Sequence, residues 1–247
     1  MPAHTDRRPF QRCANKLIAA LPPAEFQGLH ERLTARPFVT NQILHRRGDP
    51  VRHVYFPQGG TCSVLASPTT GDRPEIAVIG NEGVIGANVF FGEATSACDV
   101  VVSIGDGAVD VLSVEDFNSA MAQHGAFHNL VVRYSQAVAD QVAQLCACNR
   151  VHPADGRACR WLLTACDRVD GDGFQLSCGL LAHRLGVSHG SVIRILAGLS
   201  RSGTVEYTRG FLRITNRELL MRHACSCYRS MNTTFSRLLP ELILKNH

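Results

Sequence analysis

Six glycine-centred turn signals punctuate residues 48–107: Gly48-Asp49-Pro50, Gly59-Gly60, Gly71-Asp72, Gly80-Asn81-Glu82-Gly83, Gly92-Glu93 and Gly105-Asp106-Gly107. Between them lie short apolar or alternating runs, HVYF, CSVLA, EIAVI, VVVSI and AVDVL. Short strands at roughly 8–12-residue intervals predict an antiparallel barrel or sandwich. A parallel sheet is not expected, because no helical crossover segments fit between these strands.

The flanks read differently. Residues 17–36 predict a short helical pair broken at Pro22-Pro23. After Val114 the period becomes helical, and Val131, Tyr134, Val138, Gln141, Leu145 and Cys148 recur at alternating steps of three and four. Such a heptad-like seam predicts a homodimer formed by paired long helices, with Gln141 as the polar residue that sets register. A second stripe, Leu130, Ala137 and Val142, is left to pack on the strands. The expected division is a β-roll over 1–113 preceded by short helices, a dimerisation helix over 114–149, a third unit over 150–217 and a C-terminal extension over 218–247. A helix up to Pro240 is expected in that extension, and its role is opaque.

Charge separates along the same boundaries. Residues 1–149 hold 11 Lys and Arg against 14 Asp and Glu, whereas residues 150–217 hold 10 against 5. A basic second half suits a polyanionic partner. Length, at 247 residues, suits two modest domains. No apolar run approaches the roughly 20 residues a membrane span needs, and the N-terminus lacks the apolar core of a secretory signal. Ten cysteines in 247 residues fall short of a disulfide scaffold. These features predict a cytoplasmic chain with reduced thiols and no membrane partner.

Residues 176–200, LSCGLLAHRLGVSHGSVIRILAGLS, carry the function. Leu180, Leu181, Ala182 and Leu185 mark a short amphipathic helix ended by Gly186. Ser188 is a natural N-cap for a second helix, in which Val192, Ile195, Leu196 and Leu199 form one buried stripe. The opposite face presents Gly190, Ser191, Arg194, Ala197 and Arg201, with His189 at its shoulder. Small residues and cations on an outward face let a helix enter a major groove, so the segment reads as a helix-turn-helix with its second helix as reader. TVEY and FLRI follow as a β-hairpin joined by Thr208-Arg209-Gly210, a wing with Arg209 placed to touch phosphate. The expected DNA-contacting set is therefore Ser188, His189, Gly190, Ser191, Arg194, Arg201 and Arg209, and the expected ligand is double-stranded DNA bearing an inverted repeat.

A glycine-punctuated roll, a long helix and a winged helix-turn-helix together resemble the bacterial transcription regulators related to the cyclic-AMP receptor protein and the fumarate–nitrate regulator, the CRP/FNR family. The resemblance spans about residues 17–217 and rests on RPFVTNQILHRRGDPVRHVYFPQGG, GNEGVIG and LLAHRLGVSHGSVIRILAGLSRSGTV. It implies an α+β fold with an antiparallel, jelly-roll, cyclic-nucleotide-binding-like domain. It also implies a base-reading role for Arg194 and RNA polymerase as a further partner. Nucleotide-binding members carry Gly-Glu followed by Arg-Ser-Ala in the phosphate turn. The counterparts here are Gly86-Ala87 and Thr95-Ser96-Ala97, which lack both charges, and an alternative alignment onto Gly92-Glu93 restores only the Glu. A buried phosphate without its cation would be destabilised by several kcal/mol. Cyclic AMP is thus not expected as effector, whose identity stays unknown. His189-Gly190 replaces the Arg-Glu pair common at the start of the reader helix, so base preference should differ. The iron–sulfur sensor of the family needs clustered N-terminal cysteines, and only Cys13 stands there.

The remaining candidates weigh less. Cys146-Ala147-Cys148 with His152, and Cys225-Ser226-Cys227 with His223, place thiols and imidazoles at close spacing. Cysteines two apart fall on different sides of a helix, and zinc sites favour a longer gap. The two pairs therefore read first as buried thiols, with thiol-redox or ligand sensing as the alternative function, and neither a metal nor another cofactor is assigned. Cys62, Cys159, Cys166 and Cys178 read as core. His45, His53, His124 and His128 are available to haem, but no spacing singles one out. No nucleophile elbow, P-loop or HExxH pattern is present, so no catalysis is expected.

Overall fold

The computed structural model describes residues 14–66, 73–105, 107–169 and 171–242. Cys13, the Gly71-Asp72 turn, Asp106 and Asp170 lie outside the described residues. The chain begins with helices α1 (Lys16–Ala19) and α2 (Pro23–His30). Pro23 occupies the first helical position, where a missing N–H does no harm. The helix expected to reach residue 36 stops early, and Thr34–Pro37 form strand β1.

Six further strands complete the roll: β2 (Ile43–His45), β3 (His53–Pro57), β4 (Thr61–Leu65), β5 (Glu75–Ile79), β6 (Asp99–Ile104) and β7 (Ala108–Ser113). They form two antiparallel sheets, β1-β7-β3 and β2-β6-β4-β5. Pairing with β7 explains β1, because Thr34–Pro37 satisfy their backbone against Ala108–Val111. Alternation in β3 puts Val54 and Phe56 in the core, and Phe56 meets Phe127 of the long helix at 6.3 Å.

The helical stretch expected over 114–149 is two helices, α3 (Val114–Met121) and α4 (Ala126–Val151). The chain breaks at His124, which takes φ 52°, and Gly125. Glu25 from α2 then caps α4, its carboxylate accepting from the N–H groups of Ala126 at 2.9 Å and Phe127 at 2.8 Å. A carboxylate on the orphan amides at the positive end of a helix is stabilising.

Helix α4 has three distinct sides. The first, with Val131, Tyr134, Gln141 and Leu145, is buried. Gln141 Oε1 accepts from Val78 N at 2.9 Å, satisfying the edge strand β5. A second side meets the C-terminal helix described below. The third is open, presenting Val132, Gln136, Ala139, Ala143 and Cys146. The expected dimer seam is therefore corrected. Val131, Tyr134, Gln141 and Leu145 are consumed inside one protomer, Val138 is half-buried, and Gln141 fixes a helix to a strand instead of a helix to its mate.

The second half contains α5 (Ala154–Cys166), β8 (Gly173–Gln175), α6 (Cys178–Leu185), α7 (His189–Arg201), β9 (Val205–Thr208) and β10 (Phe211–Ile214). The strands make one antiparallel sheet, β8-β10-β9. Trp161, Leu162, Phe174, Leu181, Val192 and Leu212 share its core. The C-terminal extension folds as α8 (Arg217–His223) and α9 (Cys227–Leu238). Helix α9 lies along the second side of α4: Phe235 packs 6.3 Å from Tyr134, Ser230 bonds Gln144, and Arg133 pairs with Glu241 just beyond the helix.

Buried polar contacts join the two halves. Arg168 pairs with Glu82 at 2.8 Å. Glu75 of β5 accepts from Trp161 Nε1 at 3.0 Å and from the Ser63 hydroxyl, with Arg184 Nε of α6 at 3.6 Å. Burial pushes the Glu75 carboxyl above its ordinary range, against the pull of Arg184.

Candidate nucleic-acid interface and effector pocket

Helix α7, the expected reader, is built locally. Gly186 takes φ 63° to end α6, and the Ser188 hydroxyl caps α7 by accepting from Ser191 N at 3.2 Å. Val192, Leu196 and Leu199 are buried and Ile195 is half-buried, which turns His189, Gly190, Arg194, Ala197 and Arg201 outward with Ser191 half-buried beside them. Arg194 Nη2 donates to Ser191 Oγ at 3.2 Å, and Arg201 Nε to Ala197 O at 3.4 Å. Neither arginine has a carboxylate partner among the described residues. Glu206, the local acid nearest in sequence, stands opposite Arg213 across the wing. Ile193, 49% exposed on the same helix, escapes sequence reasoning because such reasoning turns apolar residues inward. An exposed branched aliphatic there fits a thymine methyl.

The wing is tighter than expected. Thr208 pairs with Phe211, so the loop is two residues, Arg209-Gly210, not three. Both take positive φ, 52° and 80°, the conformation that matches strand twist in a two-residue hairpin. Arg209 is exposed at the tip.

In the roll, a cavity of about 310 Å³ is lined by Gly86, Ala87, Ser96 and Ala97 together with Val64, Ile85, Phe91 and Val100. Helix α4 contributes Tyr134, Ser135 and Val138 to its wall, so two residues expected at a dimer seam line the pocket. Thr95 is not part of the lining. Its N–H and hydroxyl both donate to Glu93, at 2.9 and 2.8 Å, and hold that carboxyl below its usual range. The pocket thus has one carboxylate, no cation, and an otherwise largely apolar wall. The GNEGVIG turn beside it depends on close approach: a Cβ on Gly80 would overlap the Arg168 side chain, and one on Gly83 the Tyr134 ring.

Of the histidines considered for haem, His45 is buried against Tyr55, and burial, with a smaller effect from His53, lowers its pKa to about 4. His53 lies beside Tyr55, while His124 and His128 meet edge to face at 4.8 Å elsewhere.

The cysteine pairs are rearranged by the fold. Cys146 is exposed and Cys148 is buried, as helix geometry requires. Cys225 precedes α9 and Cys227 is its first residue, so the second pair sits on a bend and both thiols turn inward. Cys148 and Cys225 approach to 3.5 Å between sulfurs, and Cys227 Sγ lies 3.5 Å from His152 Nδ1. The objection that cysteines two apart cannot converge holds for the first pair only. His223, expected beside the second pair, does not join the group.

Comparison with known proteins follows this division of the chain. Residues 35–124 match the cyclic nucleotide-binding domain, and residues 156–223 match the Crp-like helix-turn-helix domain. Together the two span more than half of the chain. The chain belongs to the CRP/FNR family of transcription regulators. No curated protein matches it. Among solved structures it is similar to FixK2 from Bradyrhizobium japonicum, with 16% identity over 78% of this chain and 98% of that one and a TM-score of 0.66. A CRP-family transcriptional regulator from Thermus thermophilus gives 20% identity, 76% and 96% coverage and a TM-score of 0.63. The c-di-GMP-responsive global regulator CLP of Xanthomonas campestris gives 15%, 78% and 99%, and 0.62. As a CRP/FNR-type regulator the chain carries a DNA-binding helix-turn-helix, and no helix among the described residues is long and apolar enough to cross a membrane.

Proposed function

We propose that this CRP/FNR-type regulator acts in the cytoplasm as a homodimer that reads an inverted repeat with α7 and is not switched by cyclic AMP. The observation that carries DNA reading is the outward face of α7, where Arg194 and Arg201 stand without carboxylate partners beside an exposed Ile193. Arg194 is the base reader, Arg209 a phosphate contact, and Ser188, His189, Gly190 and Ser191 line the entering end. RNA polymerase as onward partner draws support from family membership alone. A mobility shift on DNA tests the interaction, since phosphate contacts require an affinity that falls steeply with salt.

The open side of α4 supports the dimer. Val132, Gln136, Ala139, Ala143 and Cys146 follow steps of four and three and expose a narrow, mostly small-residue stripe, which suits close approach of a second helix. Insensitivity to cyclic AMP draws on the pocket wall: a phosphate would meet an ionised Glu93 and no cation. Calorimetry with cyclic AMP tests it, and micromolar binding would refute it. A second reading, control of DNA binding by cysteine chemistry, draws on the convergence of Cys148, Cys225 and Cys227. Repeating the mobility shift with reduced and oxidised protein tests that.

A further inference from the structure

Where the long helix hands over to the winged helix, four side chains meet that the sequence scatters over 80 positions. Cys148 and His152 lie four apart at the end of α4, on one face, and His152 is the capping residue at which the helix ends. Cys225 and Cys227 come from the corner between α8 and α9. That corner is seated on α5: Cys225 N donates to Gly156 O at 3.1 Å, and a Cβ on Gly156 would come to 3.3 Å from the same nitrogen. All four ligand atoms lie within 4.8 Å of one another.

We infer that Cys148, His152, Cys225 and Cys227 form a closed, tetrahedral site for one divalent transition-metal ion of the zinc type. The spacing is that of ligands around a single centre. With metal–sulfur bonds of about 2.3 Å and metal–nitrogen bonds of about 2.0–2.1 Å, tetrahedral angles put neighbouring sulfurs about 3.8 Å apart and sulfur and nitrogen about 3.5 Å apart. The observed separations are 3.5 Å for Cys148–Cys225 and 3.5 Å for Cys227–His152. A span of 4.8 Å leaves room for one ion and none for several irons with bridging sulfides. Three thiolates and an imidazole are a soft donor set that excludes magnesium and calcium. With four protein ligands no position remains for a reacting water, so the site is structural.

The surroundings complete it. Gln144 Nε2 donates to Cys227 Sγ at 3.1 Å, the outer hydrogen bond that steadies a metal-bound thiolate. Three thiolates on a divalent ion leave one negative charge. Arg160, only 3% exposed, acts electrostatically on both Cys148 and Cys225, and its Nε and Nη1 have no hydrogen-bond partner among the described residues. A buried cation in that position offsets the charge. The ion would fasten the C-terminal extension to the hinge between α4 and α5.

The site does not depend on DNA binding and is tested without it. Full-length protein, purified under reducing conditions without chelator, should carry about one zinc per chain by mass-spectrometric metal analysis. Cys225→Ser with Cys227→Ser should reduce that below a tenth, and Cys146→Ser should leave it unchanged. Because the double variant can lose its fold, the wild-type chain stripped of metal is also titrated with cobalt(II). Saturation at one equivalent, with sulfur-to-cobalt charge-transfer and tetrahedral ligand-field bands, supports the site, and His152→Cys should retain it with altered bands. Folded wild-type protein that carries under a tenth of an equivalent of any transition metal and shows no such cobalt spectrum overturns the inference. So does a double variant that keeps its full metal content.

Discussion

Arg168 and Glu82 meet at 2.8 Å with both side chains buried, and a Cβ on Gly80 would stand 2.5 Å from the Arg168 chain that reaches across. The pair joins the glycine turn of the roll to the end of α5, and Arg168 also donates to Thr164 O. Contact between the roll and the winged helix thus runs through a buried ion pair. Such a pair gives little net stability over an apolar replacement but is severe to break on one side. Glu82→Ala should therefore destabilise the chain by about 3–5 kcal/mol, whereas Glu82→Leu combined with Arg168→Met should recover much of the loss. Urea unfolding of the three proteins checks this.

The proposed dimer separates the two sides of α4. Ala139 is exposed on the open stripe, whereas Leu145 is buried within the protomer. Ala139→Glu should yield a folded monomer by light scattering with unchanged circular dichroism, because it places like charges across the pairing surface. Leu145→Glu should instead unfold the chain, since it buries a charge without a partner.

Acid should destabilise the roll through His45. Its pKa is lowered to about 4 by burial, against an ordinary value of 6.5. Between those values the unfolded chain binds a proton that the folded chain does not, so stability is present above pH 6.5 and is lost as pH falls towards 4. At about pH 5 the loss is about 2 kcal/mol. His45→Gln should flatten this part of the stability profile, measured by chemical denaturation across the pH range. Glu75, whose carboxyl is raised, acts in the opposite sense and remains in the variant.

Sequence periodicity carries the architecture because strand turns and the α7 stripe are local. Ser188 caps, Gly186 ends a helix, and Val192, Leu196 and Leu199 face inward for reasons contained within a few residues. What covers a stripe is not local. The seam through Tyr134 and Leu145 has the same 3-4 spacing whether a sheet or a second helix lies against it, and here Val131 and Tyr134 join the core of the chain's own roll while Leu145 is buried within the same chain. Nothing in GNEGVIG announces that Arg168 and Tyr134 occupy the space its glycines leave empty. The cysteines mislead because a two-residue step reads as helical throughout, when Cys225 precedes the helix that Cys227 begins.

A two-fold dimer should select an inverted repeat with half-sites about 34 Å apart. Arg194, exposed on α7 and donating to Ser191 Oγ, is long enough to bond guanine O6 and N7 together. Arg194→Ala should lower affinity by about 1–3 kcal/mol per half-site and relax one base pair, whereas Arg209→Ala should weaken all sequences alike and reduce the salt slope. Selection of binding sites from random DNA with wild-type and Arg194→Ala proteins tests this most directly. The expected result is an inverted repeat for the wild type and loss of stringency at one symmetric position in the variant; enrichment of the same motif with equal stringency by both proteins would contradict base reading by Arg194.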